Sequence, residues 1–148
     1  MSELYKLSIK EKLDGLKSKQ FSSVEMSQTF LDRIKLLDKD LNSYITVTED
    51  LALEKAKESD LRYQEKNNLP LDGIPIAHKD IFCTQKTLTT CGSRMLSNFI
   101  PPYSSTVVEK LDAAGLVSLG KTNMDEFAMG SSNETSFYGE VKNPWDKE

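Results

Sequence analysis

A helix, a glycine and a short apolar strand follow one another in the second half of the chain. Thr106 and Glu109 have the spacing of a capping box, which predicts the start of a helix. The helix is predicted to run to Ala114 and to end at Gly115, because glycine is preferred just past a helix C-terminus. Residues 116–119 then predict a buried strand. Because this succession is typical of layered folds, we predict an α/β fold.

The first part of the chain, about residues 1–68, is charged and predicted to be helical. Ser8 with Glu11, and Ser22 with Glu25, have capping-box spacing and predict two helix starts. Behind the second box, apolar side chains recur every three or four residues and predict one buried helix face. This mainly apolar stripe comprises Val24, Ser27, Phe30, Leu31, Ile34, Leu37 and Leu41.

The remaining pattern predicts two more strands and one more helix. Residues 44–47 favour a short strand, and a helix is predicted from Glu49 to about Gln64. The character changes at about residue 69, and residues 74–77 predict an apolar strand with a proline near its start. A length of 148 residues suits a single domain, with a helical part followed by an α/β part over about 69–148.

Composition excludes several functional classes. The formal net charge is −4, from 19 basic and 23 acidic residues, which disfavours autonomous nucleic-acid binding. No apolar run approaches the roughly 20 residues that span a bilayer, and the N-terminus lacks the layout of a secretory signal, so we expect a cytoplasmic protein without membrane contact. Two cysteines, Cys83 and Cys91, and one histidine, His78, do not make a structural zinc site, and we expect no bound metal. His78 is a candidate general base or a structural residue.

Residues 115–122 match the phosphate-loop pattern G-x-x-x-x-G-K-[ST]. That mechanism needs a strand before the first glycine and a loop between the two glycines, so that free N–H groups can hold phosphate. Here the residues before Gly115 are predicted to be helical, and the intervening aliphatic residues predict a strand. We therefore predict that this segment does not bind nucleotide.

Two segments carry the strongest candidates for chemistry. Lys79 lies at the end of the predicted strand 74–77, and strand ends carry sites in α/β folds. A lysine in a dry site accepts a proton more readily, because burial disfavours the ammonium form, whereas an ion pair with Asp80 is the structural alternative. Residues 129–133 place a glycine beside two hydroxyl side chains, which favours either a polar binding loop or an ordinary turn.

Several segments together resemble a known family. Residues 71–80, LDGIPIAHKD, resemble the strand that carries the catalytic lysine of the amidase-signature family. Residues 120–134, GKTNMDEFAMGSSNE, resemble more specifically the glutamine-hydrolysing subunits of aspartyl/glutamyl-tRNA amidotransferases, as do residues 89–93 and 141–146. The resemblance covers essentially the whole chain.

The resemblance implies glutamine hydrolysis by a Ser–cis-Ser–Lys triad, with Lys79 as the base. Met129, Gly130 and Ser131 match the loop that lines the amide pocket in the family. It also implies that released ammonia passes to a tRNA-binding kinase partner, which uses ATP and Mg²⁺ to activate Glu-tRNA(Gln) or Asp-tRNA(Asn) for amidation. A third, small partner protein completes the implied complex, tRNA is contacted only through the kinase partner, and this chain binds no cofactor.

In the family, both catalytic serines follow the Asn-Pro-Trp-Asp motif, here residues 143–146. The chain stops two residues past that motif, so we expect it to be truncated before the serines and inactive alone. Two alternatives stay open. One is another amidase-signature amidohydrolase that acts on small amides. The other is a non-catalytic interaction module that docks through the apolar stripe of residues 24–41.

Overall fold

The computed structural model describes residues 3–146, which form four α-helices, three strands and three short 3₁₀-helices. The α-helices and strands are α1 (Ile9–Lys17), α2 (Ser23–Leu41), β1 (Tyr44–Val47), α3 (Glu49–Glu65), β2 (Pro75–Lys79), α4 (Thr106–Ala113) and β3 (Val117–Thr122). The 3₁₀-helices are Glu3–Lys6, Arg94–Leu96 and Glu126–Ala128. The predicted α/β class is confirmed. Within the described residues, no helix is both long enough and apolar enough to cross a membrane.

The two predicted capping boxes at the start of α1 and α2 are confirmed. The Ser8 and Ser22 side chains accept from the N–H groups of Glu11 and Glu25 at 3.3 and 3.0 Å. The two carboxylates in turn accept from the serine N–H groups at 2.7 and 2.8 Å. Each box satisfies two N–H groups that a helix start otherwise leaves free.

The third predicted capping box is wrong. Thr106 is the first residue inside α4 and Ser105 is the N-cap, whose side chain makes no capping hydrogen bond. With this register, the third helical position is occupied by Val108, which is fully buried. Burial of an apolar side chain stabilises more than a cap hydrogen bond does, and it sets where α4 begins.

The apolar face of α2 packs against the chain's own core. Leu31 joins Ala52 and Ala56 of α3 and two residues of β3 in one buried cluster. Val24, Phe30 and Ile34 pack against the same cluster, as predicted for the apolar stripe. Leu37, farther along the stripe, is 40% exposed. Most of the stripe is therefore internal, which weakens the interpretation of the chain as a docking module.

The three strands form a mixed sheet in the order β1–β3–β2. β3 is antiparallel to β1 and parallel to β2. The connection from β2 to β3 passes through α4, as parallel pairs require a crossover. Because parallel strands end at the same edge, Lys79 pairs with Thr122, and the loop after β3 begins beside the end of β2.

The segment that resembles a phosphate loop is a strand, as predicted. α4 precedes Gly115, and residues 117–122 form β3, so their N–H groups serve the sheet. Gly120 lies at a shift of register in β3, with φ +148°, and a Cβ atom there would collide with the Thr46 carbonyl oxygen. This glycine therefore permits close approach of two strands rather than contact with phosphate.

Candidate active site

Lys79 is the last residue of β2 and its side chain is exposed. This differs from the dry environment expected for it. Its neighbours His78 and Asp80 are only 3% and 0% exposed, because successive side chains of a strand point to opposite faces. β2 is an edge strand of the described sheet, and no described residue encloses the Lys79 amine.

The Lys79 amine lies within electrostatic reach of Asp125 in the loop after β3. The pKa of Asp125 lies below its ordinary value, chiefly because the Asn133 N–H donates to its carboxylate at 2.9 Å. Hydrogen bonds from Thr135 and the positive charge of Lys79 lower the pKa further, whereas desolvation opposes these effects. The end of β2 and the loop at residues 125–135 therefore lie beside each other.

The carboxylate of Asp125 organises that loop. It accepts from the Thr135 hydroxyl at 2.9 Å in addition to the N–H of Asn133. Gly130 packs directly on this carboxylate, since a Cβ atom there would collide with Asp125 Cγ. Met129 is 74% exposed, and Ser131 is exposed as well. Asp125 therefore anchors the loop, while residues 129–131 are exposed to solvent.

A second, fully buried lysine lies at the same edge of the sheet. Lys121 of β3 donates from Nζ to the Phe82 carbonyl oxygen and to Thr89 Oγ1, both at 2.8 Å. Its Nζ also lies 3.3 Å from Oδ1 of Asp80. Burial lowers the pKa of Lys121, and Asp80 opposes that shift. Asp80 therefore pairs with Lys121, and the alternative of a Lys79–Asp80 ion pair is wrong.

Comparison with known proteins decides the family. The amidase family model matches residues 25–148. The chain belongs to the amidase family.

Amidase relatives extend well beyond this chain. The A subunit of glutamyl-tRNA(Gln) amidotransferase from Hahella chejuensis is 59% identical over 140 residues, which cover 95% of this chain and 29% of that protein. The same-named protein of Pseudomonas aeruginosa is 58% identical over 142 residues, covering 96% of this chain and 29% of that one. The chain therefore spans less than a third of the length of these relatives.

Solved amidase structures share the fold. The glutamyl-tRNA(Gln) amidotransferase A subunit from Thermotoga maritima matches with a TM-score of 0.80 and 37% identity, over 100% of this chain and 29% of that one. Peptide amidase from Stenotrophomonas maltophilia matches with a TM-score of 0.89 and 29% identity, over 97% of this chain and 31% of that one. The predicted resemblance to the amidase-signature family is confirmed, and these structures share the α/β fold of this chain.

The candidate site contains residues that the sequence did not single out. Asp125 and Lys121 hold the two segments around Lys79, yet nothing in their spacing distinguished them from surface charges. His78 is buried with no hydrogen-bond partner for Nε2 among the described residues. Burial and the charge of Lys121 lower the pKa of His78. His78 therefore belongs to the buried surroundings of Lys121 and not to the exposed surroundings of the Lys79 amine.

Among residues 3–146, the structure holds no group of three or more His, Cys, Asp or Glu residues arranged to bind a metal ion. Cys83 and Cys91 are both free and partly buried. The sulfur of Cys83 lies 3.9 Å from the Tyr103 hydroxyl.

Proposed function

We propose that this chain forms part of the glutamine-hydrolysing, ammonia-supplying subunit of a tRNA-dependent amidotransferase. The observation that carries the proposal is the position of Lys79, whose exposed amine ends β2 beside the loop anchored by Asp125. The relatives at 55–60% identity that are named as A subunits of glutamyl-tRNA(Gln) amidotransferase support this assignment over the rest of the family.

In this proposal Lys79 is the general base of a Ser–cis-Ser–Lys triad whose serines lie elsewhere in the complete subunit. A serine Oγ attacks the side-chain amide carbon of glutamine, and its proton passes through the second serine to Lys79. The same proton then returns to the departing nitrogen, which leaves as ammonia. Water hydrolyses the acyl-enzyme to glutamate, so the nucleophile is regenerated.

Met129, Gly130 and Ser131 are proposed to line the pocket for the glutamine amide. All three residues are exposed, so this part of the loop is accessible to a ligand. Gly130 has no side chain, so the loop backbone can lie directly against the Asp125 carboxylate, where a Cβ atom would collide. A loop held in this way is preorganised, so binding does not have to order it.

The partners of the complete protein are part of the same proposal. The ammonia would pass to the tRNA-binding kinase partner, which uses ATP and Mg²⁺ to activate Glu-tRNA(Gln) or Asp-tRNA(Asn), with the small third partner in the complex. The word "subunit" in the names of the relatives supports assembly with further proteins. In this proposal tRNA contacts the kinase partner rather than this chain, and this chain binds no cofactor of its own.

A small-amide hydrolase is the second candidate. The match to peptide amidase, with a TM-score of 0.89, favours it on the level of the fold. Sequence identity points the other way, since it is 29% with that enzyme and 59% with the Hahella chejuensis amidotransferase protein. The two candidates share the lysine chemistry and differ in the substrate.

A chimera tests the proposal. This chain would replace the matching segment of the related Pseudomonas aeruginosa protein, which would be assembled with its partner subunits. We expect glutamine-dependent ammonia release and amidation of Glu-tRNA(Gln), and Lys79→Ala should reduce ammonia release at least about a thousandfold. Lys110→Met, at an exposed lysine of α4, is the matched control and should leave the rate unchanged.

Two results would contradict the assignment. Full ammonia release in the Lys79→Ala chimera would exclude Lys79 as the base. Turnover of simple aliphatic amides at the rate of glutamine, without transfer to tRNA, would favour the small-amide hydrolase instead.

A further inference from the structure

The buried Lys121 and the exposed Lys79 lie on neighbouring strands at the same edge of the sheet. We propose that Lys121, through its pair with Asp80, is a positioning residue for Lys79. It holds the segment that follows Lys79 against β3, and it neutralises the carboxylate that comes next in the chain. This inference rests on the proposed role of Lys79 as general base.

The first argument is the set of contacts that Lys121 makes. Its Nζ donates to the Phe82 carbonyl oxygen and to Thr89 Oγ1, each at 2.8 Å. These two residues lie in the segment that leaves β2 directly after Lys79. One ammonium group therefore ties both ends of the stretch 82–89 to β3.

The second argument is the network around Asp80. Its backbone N–H donates to the Thr122 carbonyl oxygen at 3.1 Å, and its Oδ2 accepts from the Thr90 N–H at 2.9 Å. Lys79 and Asp80 are consecutive, so the backbone of Lys79 is fixed directly after the point where its side chain leaves the strand. Both charges of the pair are fully buried, which limits screening by water and ions.

The third argument connects the pair to the loop at residues 125–135. The segment after Thr90 contacts that loop and the residues just past it through its backbone, since Cys91 and Gly92 accept from the N–H groups of Phe127 and Phe137 at 2.8 Å. The Ser93 hydroxyl also donates to the Glu126 carboxylate at 2.5 Å. A change at Lys121 is thus transmitted to Lys79 and to the loop that carries residues 129–131.

The pair yields a measurable consequence. Lys121→Met leaves the buried Asp80 carboxylate without its partner, so this single variant removes the anchor and also destabilises the fold. Adding Asp80→Asn removes the unpaired carboxylate while the anchor stays absent. The two variants therefore separate the positioning of Lys79 from stability.

The experiment uses the chimera assembled with its partner subunits. Three variants are compared with the parent, namely Lys121→Met, the double variant Lys121→Met/Asp80→Asn, and the exposed-lysine control Lys110→Met. For each, kcat and KM for glutamine in ammonia release are measured below the unfolding temperature, and the free energy of unfolding is measured in parallel.

We expect Lys121→Met to lower kcat about 10- to 100-fold, with little change in KM, because the base is misplaced. The double variant removes the unpaired carboxylate, so its free energy of unfolding should recover toward that of the parent while kcat stays low because the anchor is still missing. Lys110→Met should match the parent in every respect.

The remaining outcomes overturn the inference. A normal kcat, or a kcat that recovers together with stability in the double variant, would show that the pair serves folding alone. Failure of both the single and the double variant to yield folded protein would lead to the same conclusion. Undiminished activity of Lys79→Ala would instead reject the proposed function, so the two failures are distinguishable.

Discussion

Two lysines stand at the ends of neighbouring parallel strands, and they differ in almost every physical respect. Lys79 of β2 is exposed and interacts with the Asp125 carboxylate across the edge of the sheet. Lys121 of β3 is fully buried, donates two hydrogen bonds and pairs with Asp80. The comparison teaches that burial and partners distinguish two lysines at one edge of a sheet, because one side chain is committed to interior contacts and the other is exposed to solvent.

The largest expected effect separates the two lysines by stability. Lys121→Met should lower the free energy of unfolding by about 3–5 kcal/mol, because it leaves the buried Asp80 carboxylate without its partner. Lys79→Met should change it by less than about 0.5 kcal/mol, since the side chain is exposed. Urea unfolding of the two variants measures the difference, and equal losses would contradict the comparison.

The loop beside Lys79 offers the next effect. Gly130→Ala places a methyl group against the Asp125 carboxylate, where the ideal Cβ atom would collide with Cγ. We expect a loss of about 1–3 kcal/mol in the free energy of unfolding. Ser131→Ala, at the exposed neighbouring position, should lower it by less than about 0.5 kcal/mol. Thermal denaturation of both variants measures the difference. A stable Gly130→Ala variant would show that Asp125 does not hold the loop.

A pH effect is expected at His78, which is within electrostatic reach of Lys121. Burial lowers the pKa of His78 in the folded state, so the unfolded chain binds its proton first as the pH falls. This contribution to stability is complete above the unfolded value of about 6.5 and is lost as the pH falls below it. His78→Gln should flatten the decline, by at most about 1.4 kcal/mol per pH unit. Unfolding measured between about pH 7.5 and 5 in both proteins would reveal an unchanged slope if His78 were already charged when folded.

The smallest effect belongs to Asp125, whose folded pKa lies below the ordinary value chiefly because of the Asn133 N–H. Its contribution is complete above the unfolded pKa of about 3.9 and is lost as the pH falls through the folded value. Asp125→Asn should therefore lower the stability slightly at neutral pH and remove part of the further loss below about pH 4. Acid titrations followed by circular dichroism compare the two, and identical curves would contradict the role of Asp125 as an anchor.

Local sequence patterns predicted helix starts correctly where all the interacting residues lie within a short stretch of the chain. The boxes at Ser8 and Ser22 are confirmed because donor, acceptor and helix start lie within four residues. The box at Thr106 is wrong because burial of Val108, a contact made with distant residues, sets where α4 begins. The helix, glycine and strand that predicted the α/β fold are present as α4, Gly115 and β3.

The candidate site could be predicted only in part. The position of Lys79 at a strand end followed from the apolar run before it, and this prediction is confirmed. Its exposure and the pairing of Asp80 with Lys121 did not follow. Residues 80 and 121 are far apart in sequence and meet only because β2 and β3 are parallel neighbours. The roles of Lys79, Met129, Gly130 and Ser131 in catalysis and binding stay predictions.

The amino-acid sequence alone determined the order of helices and strands and the family resemblance, since periodicity, caps and motifs are properties of neighbouring residues. Only the tertiary structure decided which lysine is buried and which carboxylate holds the loop beneath Gly130. Those assignments depend on desolvation and on hydrogen bonds between segments distant in the chain, and neither exists until the strands have paired.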